Sequence, residues 1–144
     1  MKGSCVFEAK ITVLPPSVNK MYVYTKWGPR PSSAMKKFKA KAMAELVKQV
    51  PFDSEPLDKN LPYRLSLEFY LPALINKGWP GKAKTRYKRR DVSNLVKVVE
   101  DVLAQCLGVD DSCFLEEELK KLDGGIHGFV GIKIKVYELI QEDT

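Results

Sequence analysis

The sequence predicts one small α/β domain spanning residues 1–144, a mixed β-sheet with two helices in the order β-α-β-α-β-β. Three observations predict it. Several segments alternate polar and apolar residues at the period of a half-buried strand, two repeat apolar residues every three to four positions, and no repeat or linker divides the chain. At 144 residues one core is the default, large enough to fold without disulfides or a structural metal.

Cys5 to Leu14 alternates as a strand, with β-forming Val6, Ile11 and Val13, and Pro15-Pro16 ends it because proline has no N–H for the ladder. Ser17 to Pro31, rich in Tyr, Lys, Gly and Pro, reads as a loop. From Ser32 or Ser33 a helix runs to about Val50, with Phe38, Ala42, Leu46 and Val50 on one face. Pro51 to Pro62 holds three prolines and no apolar period, so it is a connection. Tyr63 to Leu71 is a strand with Leu65, Leu67 and Phe69 on one side, and a basic loop follows it. Val92 to Leu107 is the strongest helix: Leu95, Val98, Val99, Val102, Leu103 and Cys106 form its apolar stripe, and Gly108 stops it. Ser112 to Leu122 reads as a short strand, Gly124-Gly125 as a tight turn, and Phe129 to Leu139 as a strongly alternating strand.

Composition removes several function classes. Three cysteines (Cys5, Cys106, Cys113) with no CxxC pair, and one histidine (His127), assemble neither a disulfide framework nor a zinc site, so a reduced cytoplasmic protein is expected. His127 reads as a turn or surface residue, Cys106 as core, and Cys113 as an exposed residue of an acidic strand without a base to activate it. No stretch approaches the ~20 apolar residues of a membrane span, and the N-terminus alternates where an export signal would be continuously apolar.

The net charge of +6 is unevenly spread. Residues 77–90 carry Lys77, Lys82, Lys84, Arg86, Lys88, Arg89 and Arg90 with no acid, and residues 20–48 carry eight basic residues against Glu45 alone. What remains is acidic. Such polarity is the footprint of a polyanion, since each Lys or Arg that neutralises a phosphate releases counterions; the plain alternative is a solvated face that aids solubility. Tyr22, Tyr24, Trp27, Trp79 and Tyr87 lie in or beside these windows, placed either to stack on bases or to cover apolar surface. Asn19 and Lys20 are further candidates for phosphate contact.

The basic loop runs into Asp91, and Glu100, Asp101, Asp110 and Asp111 follow within twenty residues. On a helix opening near Asp91, Asn94, Lys97 and Asp101 share the stripe opposite the apolar one, and after Gly108 the Asp110-Asp111 pair is expected on the strand beside that helix. Mg²⁺ and similar hard cations choose carboxylate oxygens, waters and substrate phosphate oxygens. A phosphodiesterase needs such a metal together with a cation for the charge that builds on phosphate, for which Lys97 is the natural candidate. Each acid also has an ordinary reading: Asp91 as a helix cap, Asp101 as a solvated residue, Asp110-Asp111 as a turn pair. Their position directly after seven uncompensated positive charges favours the joint reading.

The stretch RRDVSNLVKVVEDVLAQCLGVDDS resembles the signature of the RusA family of Holliday-junction resolvases, and PPSVNKMY resembles that family's N-terminal Pro-Pro-Ser-x-Asn segment. Carried over by motif, the resemblance assigns the first metal-binding aspartate to Asp91, the asparagine to Asn94, the catalytic lysine to Lys97, the helix aspartate to Asp101 and the acid pair to Asp110 and Asp111. It implies a homodimeric, Mg²⁺-dependent endonuclease, with Mn²⁺ as an alternative metal, that binds four-way DNA junctions and nicks two opposed strands, in a phage or prophage setting. Catalysis would rest on Asp91, Lys97, Asp101 and Asp111, metal binding on Asp91, Asp101, Asp110 and Asp111. The DNA grip would use Asn19, Lys20, Lys82, Lys84, Arg86, Lys88, Arg89, Arg90 and Asn94. One position departs: Ser93 stands where the family pattern has a second acid, and serine is also a good helix cap. Either the remaining acids hold the metal with help from Asp110 or Glu100, or the protein binds junctions with little or no cleavage. An RNA-binding module is the second rival, for which the carboxylates would be superfluous.

Overall fold

The computed structural model describes residues 2–88 and 93–139. Four strands form the main sheet: β1 (Lys2–Ile11), β4 (Tyr63–Leu71), β5 (Phe114–Asp123) and β6 (Gly131–Leu139), in the order β1-β6-β4-β5. Neighbours are antiparallel except β4 and β5, which run parallel, so the sheet is mixed as expected. Parallel neighbours need a crossover. It is supplied by α3 (Ser93–Leu107), while α2 (Ser33–Gln49) fills the space between β1 and β4 in sequence. Both long helices and the main strands thus keep the expected β-α-β-α-β-β order.

Alternation sets the core. Leu65, Leu67 and Phe69 of β4, Ile132, Ile134 and Val136 of β6, and Ala9 and Ile11 of β1 are buried on one face of the sheet. Met35, Phe38, Ala42 and Leu46 of α2 and Leu95, Val98, Val99, Val102 and Leu103 of α3 are buried in the same core. Each fully buried side chain of this size contributes about 1.5–3 kcal/mol. Gly131 has φ +147° because β6 starts against β1, where a Cβ would collide with the Ile11 carbonyl.

The expected boundaries shift. β1 starts earlier and stops at Ile11, where its pairing with Ile132 ends; Val50 is the cap residue after α2 and only half-buried. β5 is confirmed as a strand but runs Phe114–Asp123, two residues later at its start and one at its end than the expected Ser112 to Leu122. Gly124-Gly125 opens a helical turn, α4 (Gly124–His127), capped by the Asp123 carboxylate, which accepts from the N–H groups of Gly125 (2.9 Å) and Ile126 (3.4 Å). The stretch Ser17–Pro31 is not a plain loop: it holds a helical turn, α1 (Val18–Met21), and a hairpin of β2 (Tyr22–Thr25) with β3 (Gly28–Pro31). Two of the four β3 residues are prolines, tolerated because this ribbon has only two strands. Ser32 joins the hairpin to α2: its hydroxyl accepts from Met35 N–H at 3.1 Å and donates to the Lys20 carbonyl, and its own N–H donates to Met21 at 2.8 Å.

Leu67 pairs with Ile134 on one side and Leu119 on the other, at the centre of the sheet. Leu67→Ala is expected to lower the unfolding free energy by about 2–5 kcal/mol, read by urea denaturation at neutral pH.

Candidate functional site

The two ends of the sheet differ in charge, and topology is the cause. β1 ends at Ile11 beside Ile132, β4 at Leu71 beside Asp123, so the segments that leave β1 and β4 emerge at one end. Those segments are α1 with Lys20, the β2–β3 hairpin, and the basic loop. The C-terminal half of α2 is tied to the end of β1, where Glu45 accepts from Thr12 N–H (3.1 Å) and Gln49 from Lys10 N–H (2.8 Å). Its other half therefore extends past the sheet with Lys36, Lys37 and Lys41 exposed. Both basic windows meet at the carboxyl ends of β1 and β4, and strand carboxyl ends are where α/β sheets commonly take ligands.

The basic loop is an ordered finger. Asn76 N–H donates to the Arg86 carbonyl at 2.9 Å, Lys88 N–H to that of Leu74 at 2.7 Å, and Ile75 and Tyr87 form a bridge between these rungs. The Asn76 side-chain amide closes the finger on the Thr85 carbonyl at 2.8 Å. At the base, Leu74 N–H donates to Asp123 at 3.4 Å, so the residue that caps α4 also anchors the finger. The Trp79–Pro80 peptide is cis. Lys82, Lys84, Arg86 and Lys88 are exposed on the finger. Trp79 and Tyr87 neither cover core nor stand alone: the Arg86 guanidinium lies 5.6 Å from each ring centre, a double cation–π contact that holds its charge in place. On the hairpin, Tyr24 and Trp27 are 85% and 76% exposed, well placed to meet a flat partner, and Lys26 lies over Trp27.

The carboxylates are distributed otherwise. Lys97 and Asp101 are exposed one turn apart on α3, within reach of each other. Ser93 is exposed and is the first described residue of α3. Arg89, Arg90 and Asp91, and the side chains of Asn19 and Asn94, lie outside what is described. Asp110 and Asp111 are not on a strand. They open a single 3₁₀ turn, Asp111–Cys113, that follows α3 and precedes β5. Asp110 caps that turn, accepting from Ser112 N–H at 2.9 Å. Hydrogen bonds from the Ser112 backbone, its hydroxyl and, less, Asp111 hold the Asp110 carboxyl below its ordinary value of 3.8. Asp111 is half-buried.

Phe114, just past this turn, pairs with Tyr63 at the start of β4, whereas the finger leaves from its end. Nine residues of strand separate the two levels, about 26 Å. The crossover covers the same span, since the 15 residues of α3 measure about 21 Å. Within one chain the acid pair and the basic finger therefore stand at opposite ends. Among the described residues no three Asp, Glu, His or Cys side chains come close enough to hold a metal ion. The donor types suit a hard divalent cation, and Asp91 lies outside the described residues.

Other candidates fall away. Cys113 is buried, not exposed, and burial pushes its thiol up, as it does that of Cys106, so neither is an activated nucleophile. His127 is exposed on α4 with its ring edge-on to Tyr70 at 5.3 Å, a surface packing role. Asp123 and Asn76, which shape the finger, were not singled out by the sequence; their only signal was an Asp before Gly-Gly and an Asn beside a basic run.

Among the described residues no helix is long and apolar enough to cross a membrane. Positive charge is concentrated at the strand ends, and Lys97 and Asp101 are exposed along the adjoining helix. The chain belongs to the endodeoxyribonuclease RusA family, whose model matches residues 13–137, nearly its whole length. That is a family of Holliday-junction resolvase nucleases. A search of the curated proteins returned no match.

Because the folded carboxyl of Asp110 has the lower pKa, its contribution to stability is present above about pH 3.8 and is lost as the pH falls through the folded value. Asp110→Asn should therefore lower stability slightly at neutral pH, with the deficit relative to the parent closing as the pH falls below about 4, as measured by urea unfolding across pH.

Proposed function

We propose that this protein is a divalent-metal-dependent endonuclease that nicks four-way DNA junctions as a pair of identical copies. The family match over residues 13–137 carries the reading. The charge distribution supports it: the finger residues Lys82, Lys84, Arg86 and Lys88, continued in sequence by Arg89 and Arg90, grip the phosphate backbone without reading bases, and Asn19, Lys20 and Asn94 are assigned to the same grip by their motifs. Recognition of a junction by shape needs just such contacts, and the exposed Tyr24 and Trp27 offer flat surface where the strands part.

Lys97 carries the positive charge that stabilises the phosphodiester as negative charge builds during attack by water. Asp101 lies one helical turn away on the same exposed face and is counted with the oxygen donors for the metal. Asp91 and the Asp110-Asp111 pair are the oxygen donors for Mg²⁺ or Mn²⁺, which when bound supplies Lewis-acid stabilisation of the phosphate and a more acidic water. Since the acid pair stands a helix length from the start of α3, we assign it to the partner's site: each site takes Asp91 and Lys97 from one copy and Asp110-Asp111 from the other. Two such sites related by a two-fold axis suit a junction that presents the same geometry twice.

A second reading rests on Ser93. A neutral hydroxyl at the exposed head of α3, where the family pattern has an acid, weakens any metal site there and favours a protein that binds junctions without cutting them. Labelled four-way junction and matched linear duplex, each incubated with Mg²⁺, with Mn²⁺ and with EDTA, separate the two. The expected result is metal-dependent paired nicks in the junction alone, and about a hundredfold or greater loss of nicking in Lys97→Ala with junction binding retained, the scale of losing one transition-state contact. Tight junction binding without nicks under either metal would leave the binding protein and remove the enzyme.

A further inference from the structure

Among the described residues β2 and β3 pair only with each other. A two-stranded ribbon is marginal on its own in water, and this one is not packed on the core: all four residues of β2 are exposed, as are Trp27, Pro29 and Arg30. It is held at both ends instead. At the root the Ser32 hydroxyl donates to the Lys20 carbonyl and Ser32 N–H to that of Met21, whose side chain is buried in the core. At the tip the Thr25 hydroxyl donates to the Gly28 carbonyl at 2.9 Å and accepts from Trp27 N–H at 3.2 Å, and the turn uses φ +105° at Gly28, a conformation open to glycine. The ribbon is an ordered projection that carries aromatic rings into solvent, where they add little to the fold.

Its register sorts the side chains onto two faces. Tyr22 lies opposite Pro31 and Tyr24 opposite Pro29, so two phenol rings and two prolines share one face; Val23 lies opposite Arg30 on the other. Trp27 stands at the tip with the Lys26 ammonium 5.0 Å from its ring centre. The surrounding charge decides what these rings can meet. From Ala9 to Ala44 the chain has eight lysines and arginines and no acid, and Lys36, Lys37 and Lys41 are exposed on the part of α2 that follows the hairpin. Such a field attracts a polyanion and repels the same ribbon of a second copy, which would bring its own cations. Flat rings inside it match the bare faces of bases, on which aromatic side chains stack with little regard to sequence.

In a continuous duplex every base pair is covered on both faces by its neighbours, so a ring finds no bare face to stack on. Where arms part at an open branch point, the last pair of an arm loses one neighbour. We propose that the β2–β3 hairpin tells branched from linear DNA: Tyr24 and Trp27, the most exposed rings of the hairpin, stack on the bases bared at the branch point, while Lys26 and Arg30 hold the flanking phosphates. The assignment rests on the junction-binding reading above; under it the finger supplies affinity for any duplex and the hairpin supplies the preference for a branch.

Tyr24→Ala, Trp27→Ala and the ring-keeping Tyr24→Phe and Trp27→Phe, each checked for native circular dichroism, are titrated with a four-way junction and a matched linear duplex in EDTA, which withholds the metal. Each alanine variant is expected to bind the junction about tenfold more weakly, the scale of one lost stacking contact, with duplex binding unchanged; the phenylalanine variants keep most of the junction affinity. Tryptophan emission reads the contact directly: the chain has two tryptophans, so quenching by the junction that is present in the parent and lost in Trp27→Phe belongs to Trp27. Alanine variants that weaken junction and duplex alike, or neither, would overturn the assignment, as would equal quenching by duplex and junction. A hairpin that joins two copies instead would appear in sedimentation velocity as an altered association state of the alanine variants without DNA, which also overturns it. Nicking in Mg²⁺ on the same samples keeps the readings apart. A parent that prefers junctions through Tyr24 and Trp27 and never nicks retains the hairpin's role and loses the enzyme; a parent that nicks while both alanine variants keep the full preference loses the hairpin's role alone.

Discussion

The parallel pairing of β4 with β5 governs the rest of the molecule. Two parallel neighbours cannot be joined by a tight turn, so the chain must return the length of the sheet, and α3 makes that return with its apolar stripe buried in the shared core. The consequence is geometric. Whatever precedes α3 lies at the carboxyl end of β4 and whatever follows it lies at the amino end of β5. The basic finger, Ser93 and Lys97 fall on the first side; Asp110 and Asp111 fall on the second. Functional residues that lie close in sequence are separated by a helix because burying that helix is what stabilises the fold.

This separation gives the molecule a positive end and an acidic end. The positive end is rigid where it matters. The finger is braced by backbone rungs, by Asn76 and by Asp123, and Arg86 is sandwiched between Trp79 and Tyr87. A grip on phosphate that is already ordered loses less conformational freedom when DNA binds. The acidic end is built on the Asp110 cap, whose hydrogen bonds with Ser112 favour the ionised carboxylate.

Periodicity made the strands and the two long helices legible, because Leu65, Leu67 and Phe69, or Val98, Val99 and Val102, have no other way to reach a common core. Ser32 and Gly108 marked helix ends through the chemistry of caps. The β2–β3 hairpin was not legible: prolines at 29 and 31 and glycine at 28 argue against a strand, and only a two-stranded ribbon accommodates them. Pairing order was hidden as well. Alternation shows that β5 is a strand but not that it lies at the edge, parallel to β4, and Asp110-Asp111 was expected on that strand beside α3 rather than in the turn ahead of it. The residue types of the site could be read from the sequence. Their distribution between the two ends could not, since it follows from the direction of a strand.

The central claim is that each site draws Lys97 from one copy and Asp111 from the other. Lys97→Ala and Asp111→Asn, each inactive alone, are mixed, allowed to exchange subunits, and assayed for nicking of a four-way junction in the presence of Mg²⁺. A shared site predicts recovery, because the mixed dimer contains one site with both residues intact and so makes single nicks. No recovery, with mixed dimers demonstrated in the same samples, would place Lys97 and Asp111 of one chain in the same site and contradict the account.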